Sequence, residues 1–356
     1  MSDDGAKPRT WPTAIAFALA GVIALAGCGA TTSSASHAGS SPSASGGQAS
    51  TASTATSTSS ASGAAVTAAA CGARPGVRAT GSPIALGAIV TKQPGTDFTD
   101  ITNMAQAYFT CVNDNGGIKG HPIRYFVKTD QTNPAQIAAD ANQLIQTDHV
   151  LGIVGSTDVL ECTVDHAYWH KLGIYELDDG IASECWSSAN SATVNMGPRF
   201  SSDGAAQYAL SRHVSKIVFD QSDLPGWQYG ADGVEAVAAA DHVPVQNVTS
   251  TVPIQDGSSV AIRDVDDAGP NGAVILDYTP PEALVILQAA QKLGLENRVK
   301  LWGCSTPCNT DFLAAALGPK WNHKLFVNSE LTPADGTDTR SMQLYRAILK
   351  QYGSAV

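Results

Sequence analysis

Apolar and polar residues follow three successive textures along this chain. Residues 14–26 are apolar, broken only by Gly21. Residues 29–70 are almost wholly Ser, Ala, Thr and Gly, with no Asp, Glu, Lys or Arg. From Ser82 onward, short β-branched runs alternate with stretches of helical period. Residues 84–90 form an apolar run of strand length. Ile101, Met104, Ala105, Tyr108, Cys111 and Val112 then recur at helical spacing, and Asn115-Gly116-Gly117 stops that helix. A strand is predicted over 123–127, and Asn133-Pro134 supplies an N-cap and a first-turn proline for the next helix. Its apolar face runs through Ile137, Ala141, Leu144 and Ile145. Strands over 150–154 and 174–177 flank a helix over 166–172. A second series begins near Ser215, with strands over 216–219, 243–252, 273–276, 300–302 and 324–327. Its helices are predicted over 231–240, 258–267 and 281–293. Alternating strand and helix implies parallel sheets covered on both faces. Two such series imply two α/β lobes, with the cleft between them as the default binding site.

The apolar run at 14–26 is too short to span a bilayer, which needs roughly 20 apolar residues. With Lys7 and Arg9 before it, it suits the core of an export signal. Leu25-Ala26-Gly27-Cys28 resembles the lipobox of bacterial lipoproteins. That resemblance implies removal of 1–27, acylation of Cys28 and a cell-membrane anchor on the extracytoplasmic face. The 29–70 tract cannot bury enough apolar surface to offset ordering entropy, so 28–70 is expected to be the lipidated cysteine and a flexible tether. The formal net charge is −11, which argues against nucleic acid as a partner. Six cysteines follow Cys28, and outside the cytoplasm an even set suggests disulfides. Six cysteines allow about 15 complete pairings. Cys71–Cys111, Cys162–Cys185 and Cys304–Cys308 are the expected set, without excluding the others.

The order of the later segments resembles the type I periplasmic binding proteins, in particular the branched-chain-amino-acid type of substrate-binding lipoprotein that serves ABC transporters. Val112-Asn113-Asp114-Asn115-Gly116-Gly117-Ile118-Lys119-Gly120 matches the turn after the family's first helix. Asp130 with Asn133-Pro134 matches its next helix start, and residues 150–155 match the strand that ends in glycine at the cleft. Trp227-Gln228-Tyr229-Gly230 is similar to a further family segment. The resemblance implies two Rossmann-like lobes joined by a hinge: an N-terminal lobe over 82–200, a C-terminal lobe over 205–327, and a return segment over 328–356. Because the family continues with another helix and a final crossing, it also implies a truncated C-terminus here.

Strand ends then supply the expected ligand-binding residues: Gly155, Ser156, Thr157, Asp178, Gly180, Ala182, Asp220, Tyr229, Tyr278 and Ser305. Short polar side chains suit a small polar head, and the tyrosines could close over it. Two positions depart from the amino-acid binders. Residues 158–162 offer no hydroxyl for a carboxylate, and Ser305 falls where the family places an acid for the ammonium. A ligand with positive or hydroxyl groups suits Asp158, Asp178 and Asp179 better than a free α-amino acid. The resemblance implies an ABC permease as partner. A ligand-sensing receptor of the same fold is the alternative, and a secreted metal-dependent hydrolase a more distant one. His166 and His170 have the i, i+4 spacing of a metal pair, but His-Ala-Tyr-Trp-His lacks the metalloprotease glutamate. No Gly-x-Ser-x-Gly elbow or Walker loop is present, so no cofactor, metal or enzymatic activity is expected.

Overall fold

The computed structural model describes residues 67, 71–195, 197–332, 336 and 338–353. Cys28, the signal segment and the predicted tether therefore lie outside the described residues, Thr67 excepted.

The first half of the fold runs β1 (Ile84–Gln93), β2 (Thr96–Asp97), α1 (Thr99–Asp114), β3 (Ile123–Asp130), α2 (Pro134–Gln146) and β4 (Gly152–Ser156). It continues with α3 (Glu161–Leu172), β5 (Tyr175–Asp178), α4 (Ser183–Ser187) and β6 (Ser191–Thr193). Its parallel strands lie in the order β3-β1-β4-β5-β6. β2 folds back antiparallel on the end of β1, pairing Asp97 with Lys92 and Thr96 with Gln93. The second half runs α5 (Gly197–Ser211), β7 (Ile217–Ser222), α6 (Gln228–Ala240), β8 (Val245–Ser250), α7 (Gly257–Ala268) and β9 (Ala273–Asp277). α8 (Pro280–Leu293), β10 (Leu301–Cys304), α9 (Asp311–Leu317) and β11 (Leu325–Val327) complete it. Its order is β8-β7-β9-β10-β11, all parallel. Within each sheet the ranks read second, first, third, fourth, fifth. The strand order therefore reverses between β1 and β4, and again between β7 and β9. Those are the points where such sheets open a crevice at their carboxyl ends.

Local chemistry explains the element starts. The Asn133 side chain accepts hydrogen bonds from the N–H groups of Ala135 and Gln136, with Pro134 in the first turn. Such a cap stabilises a helix by about 1 kcal/mol. α7 is capped in the same way by Asp256, which accepts from Ser258 and Ser259. The second sheet buries both faces. Ile217, Phe219, Ala273 and Ile275 pack on one side with Val234 of α6 and with Ala205, Ala206 and Ala209 of α5. Val218, Val274 and Leu276 pack on the other with Ile286 and Leu287 of α8. Each large aliphatic side chain so buried contributes roughly 1.5–3 kcal/mol before entropy is counted.

The chain returns to the first sheet through α10 (Arg340–Tyr352), whose Ile348 packs with Ala107, Phe109 and Cys111 of α1. Phe109 rather than Tyr108 faces this core, because its ring stands edge-to-face on Tyr125 of β3 at 5.1 Å. Disulfides join Cys71 to Cys111, Cys162 to Cys185 and Cys304 to Cys308. They tie the segment before β1 onto α1, α3 onto α4, and the two ends of the turn after β10. Among the described residues no helix is long and apolar enough to cross a membrane.

Several elements differ from the sequence expectation. β2, α4, β6, α5 and α9 lie in segments where no element was predicted. α3 begins at Glu161, five residues before the predicted start. α6 begins at Gln228, three residues before the predicted start, so Gln228 to Gly230 belong to the helix and Trp227 caps it.

Candidate ligand-binding cleft

A recess with a volume of about 490 Å³ lies where the carboxyl ends of the two sheets meet. The first sheet supplies the β2 hairpin and the start of α1 (Gly95 to Asp97, Phe98, Asp100, Ile101), Thr157 and Val159 after β4, and Asp179 and Ile181 after β5. The second supplies Pro198 and Ser201 of α5, Trp227 before α6, and Asp277, Thr279 and Pro280 at the β9–α8 junction. Thr306, Asn309, Thr310 and Phe312 close one end after β10, and Asn195 and Glu330 lie where the chain passes between the sheets.

Of the ten residues expected from the sequence, Thr157 alone lines this cleft. The other nine lie one layer beneath it or beside it. Gly155 occupies a bulge in β4 with φ +81°, and a Cβ there would stand 3.2 Å from Tyr125 Oη. Ser156 is buried, and its Oγ accepts from Ile89 N–H at 3.0 Å, joining β4 to β1. Asp178 accepts from Gly180 N–H at 2.8 Å and from Ser191 Oγ at 2.7 Å, so it braces the turn after β5. Gly180 and Ala182 pack against the Cys162–Cys185 bridge.

Asp220 is fully buried under the second sheet's edge of the cleft. It accepts from Arg263 Nη2 at 2.6 Å, Tyr278 Oη at 2.6 Å and Ser250 Oγ at 3.1 Å. Burial pushes its carboxyl upward, while the Tyr278 hydroxyl and then the Arg263 guanidinium pull it back. Tyr278 is itself fully buried and directed at Asp220. The Ser305 hydroxyl donates to Asp277 Oδ1. Tyr229 lies in a neighbouring recess, edge-to-face with Trp186 at 6.3 Å.

Asp158, also considered from the sequence, is buried. It accepts from Thr91 Oγ1 at 2.7 Å and Leu160 N–H at 2.8 Å. His166 Nδ1 lies 2.8 Å from the Cys162 carbonyl oxygen, and His170 is exposed. Among the described residues, the only group of three metal-type side chains that converges is Cys162, Asp178 and Cys185, and its two sulfurs are bonded to each other.

The cleft itself is acidic. Asp97, Asp100, Asp179, Asp277 and Glu330 line it, and among the described residues it has no Lys, Arg or His. Asp97 is paired with Lys92 at 3.2 Å, and its hydrogen bonds from Thr99 hold its carboxyl below the usual range. Burial pushes Asp179 up to about 7, with Glu330 and then Asp178 adding to the rise. Burial likewise pushes Asp277 up to about 7; Ser305 opposes the rise and Glu330 adds to it. Phe98, Ile101, Ile181, Trp227 and Phe312 supply apolar walls.

Two doubly wound lobes of the same strand order, facing each other across a cleft at their carboxyl strand ends, define a two-lobed binding fold. The model of the periplasmic binding protein family matches residues 83–356, and the chain belongs to that family, in its type I form. It is a binding protein and not an enzyme. The fold is similar to that of the ABC transporter solute-binding protein of Rhodopseudomonas palustris HaA2 in complex with p-hydroxybenzoic acid. That pair has a TM-score of 0.67 and 17% identity over 77% of this chain and 74% of the other. It is also similar to a fatty acid ABC transporter substrate-binding protein from Thermomonospora curvata, with a TM-score of 0.66 and 16% identity over 78% and 72%. A leucine binding protein from Thermotoga maritima MSB8 superposes with a TM-score of 0.56 and 13% identity over 66% and 67%. A sequence search of curated proteins gives no match.

Proposed function

We propose that this chain is the solute-binding lipoprotein of an ABC transporter, capturing a small polar solute in the interlobe cleft and presenting it to a membrane permease. The observation that carries this reading is the position of the cleft, where both sheets reverse strand order at their carboxyl ends. Its volume of about 490 Å³ is within the range of small-molecule sites. The structural neighbours include binding proteins of ABC transporters. Closure of the lobes over the solute would bury it between Thr157, Asp179 and Ile181 on one side and Trp227, Asp277 and Thr279 on the other.

The lipobox at Cys28 extends the reading to the membrane. Acylated Cys28 would hold the binder at the extracytoplasmic face, and the uncharged 29–70 tract would let the lobes reach the permease. Solute capture is tested by melting the full chain, in detergent, against a broad panel of amines, amino acids, carboxylates and polyols. A ligand present at 100 times its Kd stabilises the folded state by about 2.7 kcal/mol, so a true solute raises the melting temperature by several degrees. A flat response across the panel would remove the solute-binding reading.

A further inference from the structure

We propose that the amino-terminal end of the first sheet is a membrane-docking face, which lies against anionic phospholipid headgroups and keeps the cleft turned to solvent. The proposal rests on the lipoprotein reading above and adds an orientation to it.

Topology places the face. The parallel strands of the first sheet begin at one end, and the cleft lies at the other. At the end where they begin, Arg124 stands opposite Ala85, and Tyr175 stands opposite Gly152. The Ala85 carbonyl accepts from Leu151 N–H at 2.9 Å, which joins the two pairs. Leu172 ends α3 three residues before Tyr175. Ile118 pairs with His121, whose Nδ1 lies 2.8 Å from the Ser82 carbonyl oxygen just before β1. Arg74 in turn donates to the Gly116 carbonyl at 3.4 Å. Segments 71–82, 114–124, 147–152 and 170–175 therefore adjoin one another on this end of the lobe.

Their side chains combine two properties. Val77, Ile118, Leu151, Leu172 and Tyr175 are exposed, Leu151 at 68% and Tyr175 at 71%. Single exposed apolar residues are ordinary, but five on adjoining segments mark an interaction surface. Arg74, Arg78, Lys119, Arg124 and Lys171 are exposed among them. The acids on the four segments are Asp114 and Asp148. Asp114 is paired with Arg78 at 3.6 Å and Asp148 with Lys128 at 2.8 Å. The end is thus basic on a chain whose net charge is −11. Apolar side chains set among Lys and Arg suit the interface of an anionic bilayer, which takes up the first and attracts the second.

The course of the chain is an independent observation, and it favours a bilayer over a protein as the occupant. The sequence that carries Cys28 joins the lobes at Cys71, and Cys71 is bridged to Cys111 in the last turn of α1. The connection to the lipobox therefore leaves from this same end. A basic surface is one of the second signals that make a lipid anchor stable. Distance handles the charge on the rest of the molecule. β1 is 10 residues long, which puts the acidic cleft roughly 30 Å from the face. That is about three screening lengths at physiological salt, so the cleft carboxylates do not oppose docking.

Hydrogen exchange of the full chain tests this on vesicles of phosphatidylcholine with and without phosphatidylglycerol. On the anionic vesicles, exchange over 74–80, 117–121, 147–152 and 171–175 is expected to slow by about threefold or more, and raised salt to reverse the effect. The double variants Lys119→Asn/Lys171→Gln and Leu151→Thr/Tyr175→Thr are each expected to remove that protection. Their urea midpoints, measured off the vesicles, report that the fold is intact. Leu293→Thr, at the end of α8 in the second lobe, is the control and is expected to keep the protection. Equal exchange on both vesicles, or protection at other segments instead, would overturn the proposal and leave the lipoprotein reading standing. Protection that follows protein density rather than phosphatidylglycerol would overturn it in favour of pairing between copies. Release of the chain from both kinds of vesicle would overturn both readings.

Discussion

Tyr278→Phe separates a residue that supports the cleft from one that touches its ligand. Tyr278 is fully buried at the end of β9, and its hydroxyl donates to Asp220 Oδ1 at 2.6 Å. The substitution keeps the ring and its packing, so no cavity opens. What is lost is one hydrogen bond to a buried carboxylate, worth roughly 1.5–3 kcal/mol. Asp220 keeps Ser250 at 3.1 Å and Arg263 at 2.6 Å, which places the cost at the lower end, about 1.5–2 kcal/mol. For a domain of this size that is a fall of about 4 °C in Tm, or a lower urea midpoint at unchanged slope. Arg263→Met removes the cation that, among the described residues, is bonded to both Asp220 and Asp264. It is expected to cost about 3 kcal/mol, below the full penalty of breaking a buried pair because the Arg263 side chain is 37% exposed. Since both partners serve one carboxylate, the double variant should depart from additivity by at least about 0.5 kcal/mol. Solute affinity should stay within about twofold for Tyr278→Phe. A variant with an unchanged midpoint and a large loss of affinity would refute this reasoning and place the Tyr278 hydroxyl against the ligand.

A methyl at Gly180 would stand 2.2 Å from Cys185 Sγ and 2.8 Å from Cys162 Sγ, so Gly180→Ala should displace the bridge and destabilise the chain by roughly 1–3 kcal/mol in urea unfolding. Removing the Cys71–Cys111 link, which closes 40 residues, should cost about 3–4 kcal/mol in the same assay; an unchanged midpoint would mean the bridge constrains little. Burial holds Glu176 and Asp158 near about 8 and Asp165 near about 7 in the folded chain, with neighbouring acids adding to each rise. The folded state thus keeps protons that the unfolded chain releases near pH 4, so stability should fall by several kcal/mol as pH rises from about 4 to about 8; a flat or rising profile of urea midpoints would contradict this. Cys28→Ser should abolish incorporation of a fatty-acid label in a bacterial host and shift the chain from the membrane to the soluble fraction, and retained label would place the modification elsewhere.

The alternation of strands and helices was legible because parallel strands buried on both faces read as short continuous apolar runs between amphipathic helices. Capped helix starts such as Asn133-Pro134 were legible for the same local reason. For Ser156, Asp178, Gly180, Ala182, Tyr278 and Ser305 a residue lining the cleft is the immediate neighbour, and these offsets share a cause, whereas Gly155, Asp220 and Tyr229 have no lining residue next to them. Ser156 is buried and Thr157 lines the cleft; Asp178 is buried and Asp179 lines it; Ser305 is buried and Thr306 lines it. Tyr278 is buried between Asp277 and Thr279, which both line the cleft, and Ile181 lines it between Gly180 and Ala182, which do not. Side chains alternate in direction along extended backbone, so an uncertainty of one residue in a strand's end exchanges a cleft-facing position for a buried one. No periodicity argument resolves that at Ser156-Thr157, Asp178-Asp179 or Ser305-Thr306, where both neighbours are polar. α5 was lost for a different reason. It packs on α6 through Ala205, Ala206 and Ala209 rather than through large aliphatics. The approach is close enough that a Cβ on Gly233 would stand 2.3 Å from the Arg199 carbonyl oxygen, and one on Gly230 would stand 2.9 Å from Ser202 Oγ. A helix interface made of small residues gains its stability from backbone proximity, which leaves almost no apolar stripe in the sequence. The same helix carries Pro198 and Ser201 into the cleft, so missing its small-residue interface also hid part of the cleft lining.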